Sequence, residues 1–164
     1  KIAFEQKNRP SLVLLTRQAV PVFDRDVYPG PCSLQQGGYI MSDAENANVL
    51  IFATGSEVWV ALETKEMLSK KGHSVKVVNL SCWELFDEQN DEYKKDVLKC
   101  NNDTLLVSIE AGITDGWQKY TGRNGLNIGI NTFGESAPGK VVAEHFKLTV
   151  EGVVDKIKHR MDTT

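Results

Sequence analysis

The chain has 164 residues, of which 41% are apolar and 25% are charged, as in an ordinary soluble domain. Its 19 Lys and Arg residues against 22 Asp and Glu give a net charge of −3. This charge argues against nucleic acid as the main partner, because duplex-binding proteins usually carry a clustered basic face. There is no apolar run of about 18 residues that could span a membrane, and no signal-peptide pattern at the start. The chain begins without Met, so we expect a piece of a longer protein.

Three cysteines lie far apart in the chain and form neither a redox pair nor a zinc set. We therefore expect reduced thiols in a cytoplasmic protein. The cysteines are Cys32, Cys82 and Cys100.

The first part of the chain predicts a strand followed by a linker. The apolar run at 11–16 predicts the strand, and Arg17 and Gln18 stand at its end. The stretch 19–38 holds three of the five prolines and three glycines, a composition typical of a linker. We predict the tail of a preceding domain at 1–18, a linker at 19–37 and a second domain at 38–164.

Strands and helices alternate in the rest of the chain. Strands are predicted at 38–42, 49–54, 74–80, 104–110 and 126–131. Helices are predicted after the second strand as far as Lys71, at 90–98, near Trp117, after Ser136 and after Thr149. The last of these has an amphipathic stripe made of Val150, Val153, Val154, Ile157 and Met161. Such alternation predicts an open α/β sheet covered on both faces.

The turn after the second strand has two interpretations. Thr54 and Glu57 have the spacing of a capping box, in which each side chain bonds to the other's backbone amide. Alternatively, exposed amides at Gly55 and Ser56 could form a weak anion site at the start of the helix. We favour the structural interpretation and keep the second open.

No complete catalytic or metal-binding set is visible. His73, His145 and His159 are far apart, and no cluster of Cys or carboxylates has metal-ligand spacing. Glu110 ends a predicted strand and is either a ligand contact or a capping or interface carboxylate. Arg17 could hold a phosphate through its planar fork of donors or form a surface ion pair. These alternatives for Glu110 and Arg17 stay open on spacing alone.

Six stretches taken in order resemble the C-terminal part of transketolase from Arg9 to the end of the chain. They are Leu-Thr-Arg-Gln at 15–18, Gly-Gly-Tyr at 37–39, Ala-Thr-Gly-Ser-Glu-Val at 53–58, Trp-Glu-Leu-Phe-Asp at 83–87, Glu-Ala-Gly at 110–112 with Gly-Trp at 116–117 and Lys-Tyr at 119–120, and Thr-Phe-Gly at 132–134 with Ser-Ala-Pro at 136–138. Three departures stand out: Ala19 and Val20 in place of a common Asn-Leu, and Asn131 in place of a frequent Asp.

The resemblance implies an enzyme of the pentose phosphate pathway that moves a two-carbon ketol unit between sugar phosphates. Thiamine diphosphate and a divalent cation, Mg or Ca, would be held by upstream domains, with each active site between two subunits of a homodimer. The present chain would be the third domain plus the last strand of the second, inactive alone and without bound cofactor. Its expected fold is a three-layer α/β/α sandwich with a five-stranded mixed sheet, in which 38–42 is the antiparallel strand.

Only Arg17 falls on a family active-site position, where the resemblance implies binding of the substrate's phosphate. Two alternatives remain at this stage. One is a related thiamine-diphosphate enzyme, a deoxyxylulose-phosphate synthase or a 2-oxoacid dehydrogenase β subunit. The other is a non-catalytic module that binds an anion at 54–57.

Overall fold

The computed structural model describes residues 1–163. Five strands form one sheet in the order β1-β3-β2-β4-β5. They are β1 at Gly38–Ser42, β2 at Val49–Ala53, β3 at Val75–Leu80, β4 at Leu105–Ile109 and β5 at Leu126–Ile128. Only β1 runs antiparallel to its neighbour, and the other three pairs are parallel. The predicted mixed sheet, including its antiparallel first strand, is confirmed.

Seven α-helices and one 3-10 helix accompany the sheet in the described residues. The α-helices are α1 at Ile2–Glu5, α2 at Glu57–Ser69, α3 at Trp83–Asp87, α4 at Asp91–Val97, α5 at Gln118–Thr121, α6 at Gly139–His145 and α7 at Val150–Asp162. The 3-10 helix is Pro31–Gln36 in the linker. Within residues 1–163, no helix combines the length and apolar character needed to cross a membrane.

The strand β2 lies at the centre of two hydrophobic cores. Alternate side chains of a strand point to opposite faces. Val49, Ile51 and Ala53 therefore pack with α2 and α7, whereas Leu50 and Phe52 pack with α3, α4 and α5. All five residues of β2 are buried, which explains the unbroken apolar run in the sequence.

The C-terminal end of α2 and the start of α7 have well-formed helix caps. Gly72 has φ +88°, and the His73 N–H donates to the Leu68 carbonyl 3.1 Å away, as in a Schellman motif. At the start of α7, the Thr149 hydroxyl accepts from the Gly152 N–H at 3.2 Å. The stripe of α7 is buried at Val153, Val154 and Ile157.

The predicted strand at 11–16 is wrong for this structure. The segment is irregular, and its apolar side chains are 64–86% exposed. A strand needs a neighbour for its backbone hydrogen bonds, and the five-stranded sheet of residues 1–163 is complete without this segment. Two further predictions need adjustment. The motif at 83–87, which lies outside the predicted helices, forms the helix α3, and β5 ends at Ile128 rather than at Asn131.

The linker lies against the domain. Phe23 packs edge-on against Tyr28 with ring centroids 5.5 Å apart, and it lies 6.3 Å from the ring of Trp59 at the start of α2. Gly37 admits no side chain, because a Cβ there would lie 2.3 Å from the Cys82 carbonyl oxygen. The linker is thus held at both ends, while the domain boundaries themselves stay a prediction.

Candidate functional site

The carboxyl ends of β2 and β4 meet at the middle of the sheet. The chain leaves β2 toward β3 on one side, and β4 lies on the other side of β2. Such a reversal of strand order opens a crevice where ligands of α/β proteins commonly bind. The crevice here is bordered by the turn at 54–56 and by Glu110.

The turn at 54–56 does not form the predicted capping box. The helix begins at Glu57, so Glu57 is its first residue rather than its third and cannot reach back as the motif requires. Instead, the Glu57 N–H donates to the Thr54 carbonyl at 3.1 Å, and the Ser56 hydroxyl donates to the Glu57 carboxylate at 2.7 Å. Gly55 makes the turn with φ +57°.

Two carboxylates dominate the charge of this crevice. Glu110 is half-buried, and burial raises the pKa of its carboxyl, with a smaller contribution from the negative charge of Glu57. An anion at Gly55 and Ser56 would face the same two charges. The anion site stays a prediction, and the charge of the crevice opposes it.

Arg17 is exposed to solvent and lies in a segment without helix or strand. Among residues 1–163 its guanidinium has no ion-pair partner. The side chain of its neighbour Gln18, in contrast, makes two close contacts. The Thr16 hydroxyl donates to the Gln18 side-chain oxygen at 2.9 Å, and a Cβ added at Gly139 would lie 3.0 Å from the Gln18 Nε2. The Arg17 segment therefore contacts the first residue of α6.

Sequence reasoning missed that contact between Gln18 and Gly139. The two residues are far apart in the chain, and neither belongs to a periodic pattern. The presence of Gly at the start of a helix, where Ala would be preferred, is the one signal that could have pointed to a close neighbour.

The tryptophan motifs form a second cluster away from Arg17. Trp83 and Trp117 meet at 4.9 Å between ring centroids. Lys119 forms an ion pair with Asp87, and the Tyr120 hydroxyl donates to the other Asp87 oxygen at 3.2 Å. Trp117 is buried. The motifs at 83–87 and 116–120 thus hold each other in place.

A cavity of about 720 Å³ lies between the N-terminal segment and α3. Leu12, Val13, Cys32 and Leu85 are among its lining residues. About half of its lining residues belong to residues 1–13, which are predicted to be the tail of a preceding domain.

Comparison with known families decides the assignment. The model of the transketolase-like TK C-terminal domain matches residues 37–149. The chain belongs to the transketolase C-terminal domain family. A transketolase of Aquifex aeolicus is 47% identical over 158 residues, which cover 96% of this chain and 23% of the relative. The chloroplastic transketolase-1 of Arabidopsis thaliana is 44% identical over 161 residues, which cover 96% of this chain and 21% of the relative.

Solved transketolases share the fold of this C-terminal domain. A Pichia stipitis transketolase mutant in complex with xylulose-5-phosphate superposes with a TM-score of 0.73 at 32% identity, over 79% of this chain and 18% of the other. The Leishmania mexicana transketolase gives 0.71 at 35% identity, over 80% and 19%. The chain spans less than a quarter of the length of these relatives.

Within residues 1–163, no group of three His, Cys, Asp or Glu side chains lies together as a metal site would require. The location of thiamine diphosphate and its divalent cation on upstream domains stays a prediction.

Proposed function

We propose that this chain is the third domain of a transketolase that transfers a two-carbon ketol unit between sugar phosphates. The observation that supports this most is the match to transketolases along 96% of the chain. In the proposed enzyme, residues 38–164 stabilise the assembly and border the substrate channel. Chemistry takes place on the domains that precede them.

Arg17 is proposed to bind the terminal phosphate of the substrate. A guanidinium offers two parallel N–H donors to a phosphate, and its charge does not depend on pH in the physiological range. The exposed position of Arg17, without an ion-pair partner among residues 1–163, supports the proposal. A terminal phosphate is common to many sugar phosphates, so this contact selects for phosphorylation rather than for one sugar.

Thiamine diphosphate, the divalent cation and the homodimer belong to the full-length enzyme in this proposal. The cofactor would supply the carbanion chemistry of ketol transfer, and residues upstream would hold it. The cytoplasm is the proposed compartment, because all three cysteines are free. The plant relatives are named as chloroplastic, so the compartment is tested separately by fractionation.

The division of labour can be tested with two preparations of the protein. The full-length enzyme and the chain 1–164 are each assayed with a ketose-phosphate donor, an aldose-phosphate acceptor, thiamine diphosphate and Mg²⁺. We expect turnover only from the full-length enzyme. Turnover by the chain alone would contradict the proposed location of the active site.

A further inference from the structure

The turn between α5 and β5 contains Asn124-Gly125, which is the one Asn-Gly pair in the sequence. Asparagine is a thermolabile residue, because the backbone nitrogen that follows it can attack its side-chain carbonyl carbon and close a five-membered ring. Glycine favours this attack, since it has no Cβ to crowd the approach and its backbone is flexible. The pair can therefore modify itself, provided that the fold leaves both groups free.

The fold leaves both reacting groups free. Asn124 is exposed, and within residues 1–163 its carboxamide makes no hydrogen bond. The Gly125 N–H also lacks an acceptor in the described part of the chain. Most backbone N–H groups in a folded protein are held by such a bond. Here the glycine nitrogen can lose its proton and approach the Asn124 Cγ without first breaking one.

Packing requires glycine at position 125. A Cβ built there would lie 2.4 Å from the Thr121 carbonyl oxygen and 3.0 Å from the Leu106 carbonyl oxygen. Both are backbone atoms, so they cannot move aside as the end of a flexible side chain would. A larger residue, which would slow the ring closure, therefore does not fit where the chain turns into β5. The reactivity of Asn124 is thus a consequence of how β4, α5 and β5 pack.

Two asparagines further along the chain lack these features. The Asn127 side-chain oxygen accepts from the hydroxyls of Ser108 and Thr121, at 2.7 and 2.9 Å. The Asn131 side-chain oxygen accepts from the N–H and the hydroxyl of Thr114. Each of these asparagines precedes a β-branched residue, whose bulk at Cβ hinders attack by its nitrogen. They serve as internal controls.

We propose that Asn124 is a site of spontaneous deamidation in the folded protein. The Gly125 nitrogen loses its proton and bonds to the Asn124 Cγ, and the bond from Cγ to Nδ2 breaks as the side-chain amide leaves as ammonia. Water then opens the ring at either carbonyl and gives aspartate or isoaspartate. The net reaction consumes one water and releases one ammonia, with no oxidation or reduction.

The isoaspartate product changes the contact between this turn and α7. The Arg160 guanidinium donates to the Asn124 carbonyl at 3.0 Å. Isoaspartate inserts a methylene group into the main chain, so this carbonyl is displaced relative to Arg160 and to β5. The strand β5 has three residues and lies at the edge of the sheet. We therefore expect the modification to lower the stability of the protein.

The test follows deamidation in one peptide that contains all three asparagines. The folded protein is incubated at mildly alkaline pH and cut after lysine residues, which yields the peptide 120–140. Fragmentation in the mass spectrometer locates the gain of one mass unit, and a protein isoaspartyl methyltransferase labels isoaspartate. We expect deamidation at Asn124 to be at least about tenfold faster than at Asn127 or Asn131. Equal rates at the three positions would overturn the proposal.

A sample unfolded in urea separates the effect of the fold from that of the Asn-Gly pair itself. The rate at Asn124 should change by no more than about threefold on unfolding, because an exposed and unbonded turn needs little opening to react. A folded rate lower by more than this would show that the fold protects Asn124 and would contradict the proposal.

Asn124→Gln removes the reactive pair and keeps a carboxamide. This variant should lose the methyltransferase labelling of 120–140 and keep its melting temperature on incubation, whereas the melting temperature of the wild-type protein should fall. Labelling that persists in Asn124→Gln would place the isoaspartate at another residue. An equal fall in melting temperature for both proteins would remove the expected link between the modification and stability.

Discussion

Trp83 and Trp117 meet edge to face, with ring centroids 4.9 Å apart and an angle of 79° between their planes. Trp83 begins α3, and Trp117 immediately precedes α5, so the contact joins the segments that follow β3 and β4. Gly116 permits this approach in two ways. Its φ is +87°, and a Cβ there would lie 2.9 Å from Trp83 Cζ3. The aromatic pair thus requires both the backbone and the small volume of glycine.

Replacement of Gly116 should therefore lower the free energy of unfolding by more than the backbone strain alone. Gly116→Ala should lower the free energy of unfolding by about 1–2 kcal/mol for the left-handed backbone. A further 1–3 kcal/mol or so is expected from displacement of the Trp83 ring. The measurement is urea denaturation monitored by tryptophan fluorescence, which also reports the environment of the two rings.

Gly72 supplies a matched control for this substitution. Its φ of +88° is nearly the same, and no atom lies within 4 Å of a Cβ built on it. Gly72→Ala should therefore show the backbone cost without the clash. Equal losses for the two variants would remove the argument that Trp83 fills the space beside Gly116.

The fold should stay stable with Asn131→Asp but lose stability with Asn131→Ala. Its side-chain oxygen accepts two bonds from Thr114, which is buried, and a carboxylate can accept both. Asn131→Ala leaves a buried N–H and hydroxyl without that acceptor, at a cost of about 1–3 kcal/mol. Thermal unfolding of both variants provides the check. A stable Asn131→Ala variant would show that water or another residue replaces the amide.

The sheet could be predicted from the sequence because β2, β3 and β4 are buried on both faces. The apolar run of β2 is unbroken, whereas β3 also buries Lys76 and Asn79 and β4 also buries Ser108. Largely apolar runs of this kind are conspicuous between polar turns. The segment 11–16 has an equally apolar run, yet it does not form the predicted strand. Periodicity reports only which residues would be buried, whereas a strand also needs a neighbouring backbone.

The candidate site was less predictable for two different reasons. The capping box at Thr54 failed because the motif depends on the exact first residue of the helix, which spacing alone places within only one or two positions. The contact of Gln18 with Gly139 depends on how distant segments meet, and no local pattern encodes it. The role of Arg17 came from resemblance to a family and stays a prediction.

Glu110 should make the protein less stable as pH rises above the ordinary carboxyl pKa. Its pKa is raised in the folded state from an ordinary value of 4.5, chiefly by burial. The folded state therefore binds the proton more tightly than the unfolded state. The stability linked to this proton is complete below about pH 4.5 and is lost as pH rises through the folded pKa.

Glu110→Gln should accordingly stabilise the chain at pH 7 and have little effect at pH 4. The gain should stay below about 1 kcal/mol, since a half-exposed carboxylate is partly screened by water. Melting temperatures across this pH range give the comparison. Glu57→Gln should reduce the difference between wild type and Glu110→Gln, because Glu57 adds to the raised pKa. A Glu110→Gln variant that is less stable at pH 7 would instead indicate a partner for the carboxylate.

Substitution of Arg17 should separate phosphorylated from unphosphorylated substrates in the full-length enzyme. Hydrogen bonds to a charged group contribute about 1.5–3 kcal/mol, so Arg17→Ala should raise KM for phosphorylated acceptors about 10- to 100-fold. KM for unphosphorylated acceptors should change little. Arg17→Lys keeps the charge but loses the fork of donors, so its effect should be intermediate.

Arg25 is the matched control for Arg17, because it lies in the linker that follows Arg17 and its guanidinium donates to the Pro29 carbonyl at 2.9 Å. Arg25→Ala should leave the ratio of the two KM values unchanged. Steady-state kinetics with the same sugar in both forms isolates the phosphate from the rest of the substrate. If Arg17→Ala raised both KM values equally, the residue would act on the sugar or on the fold. The phosphate contact would then have to come from elsewhere in the enzyme.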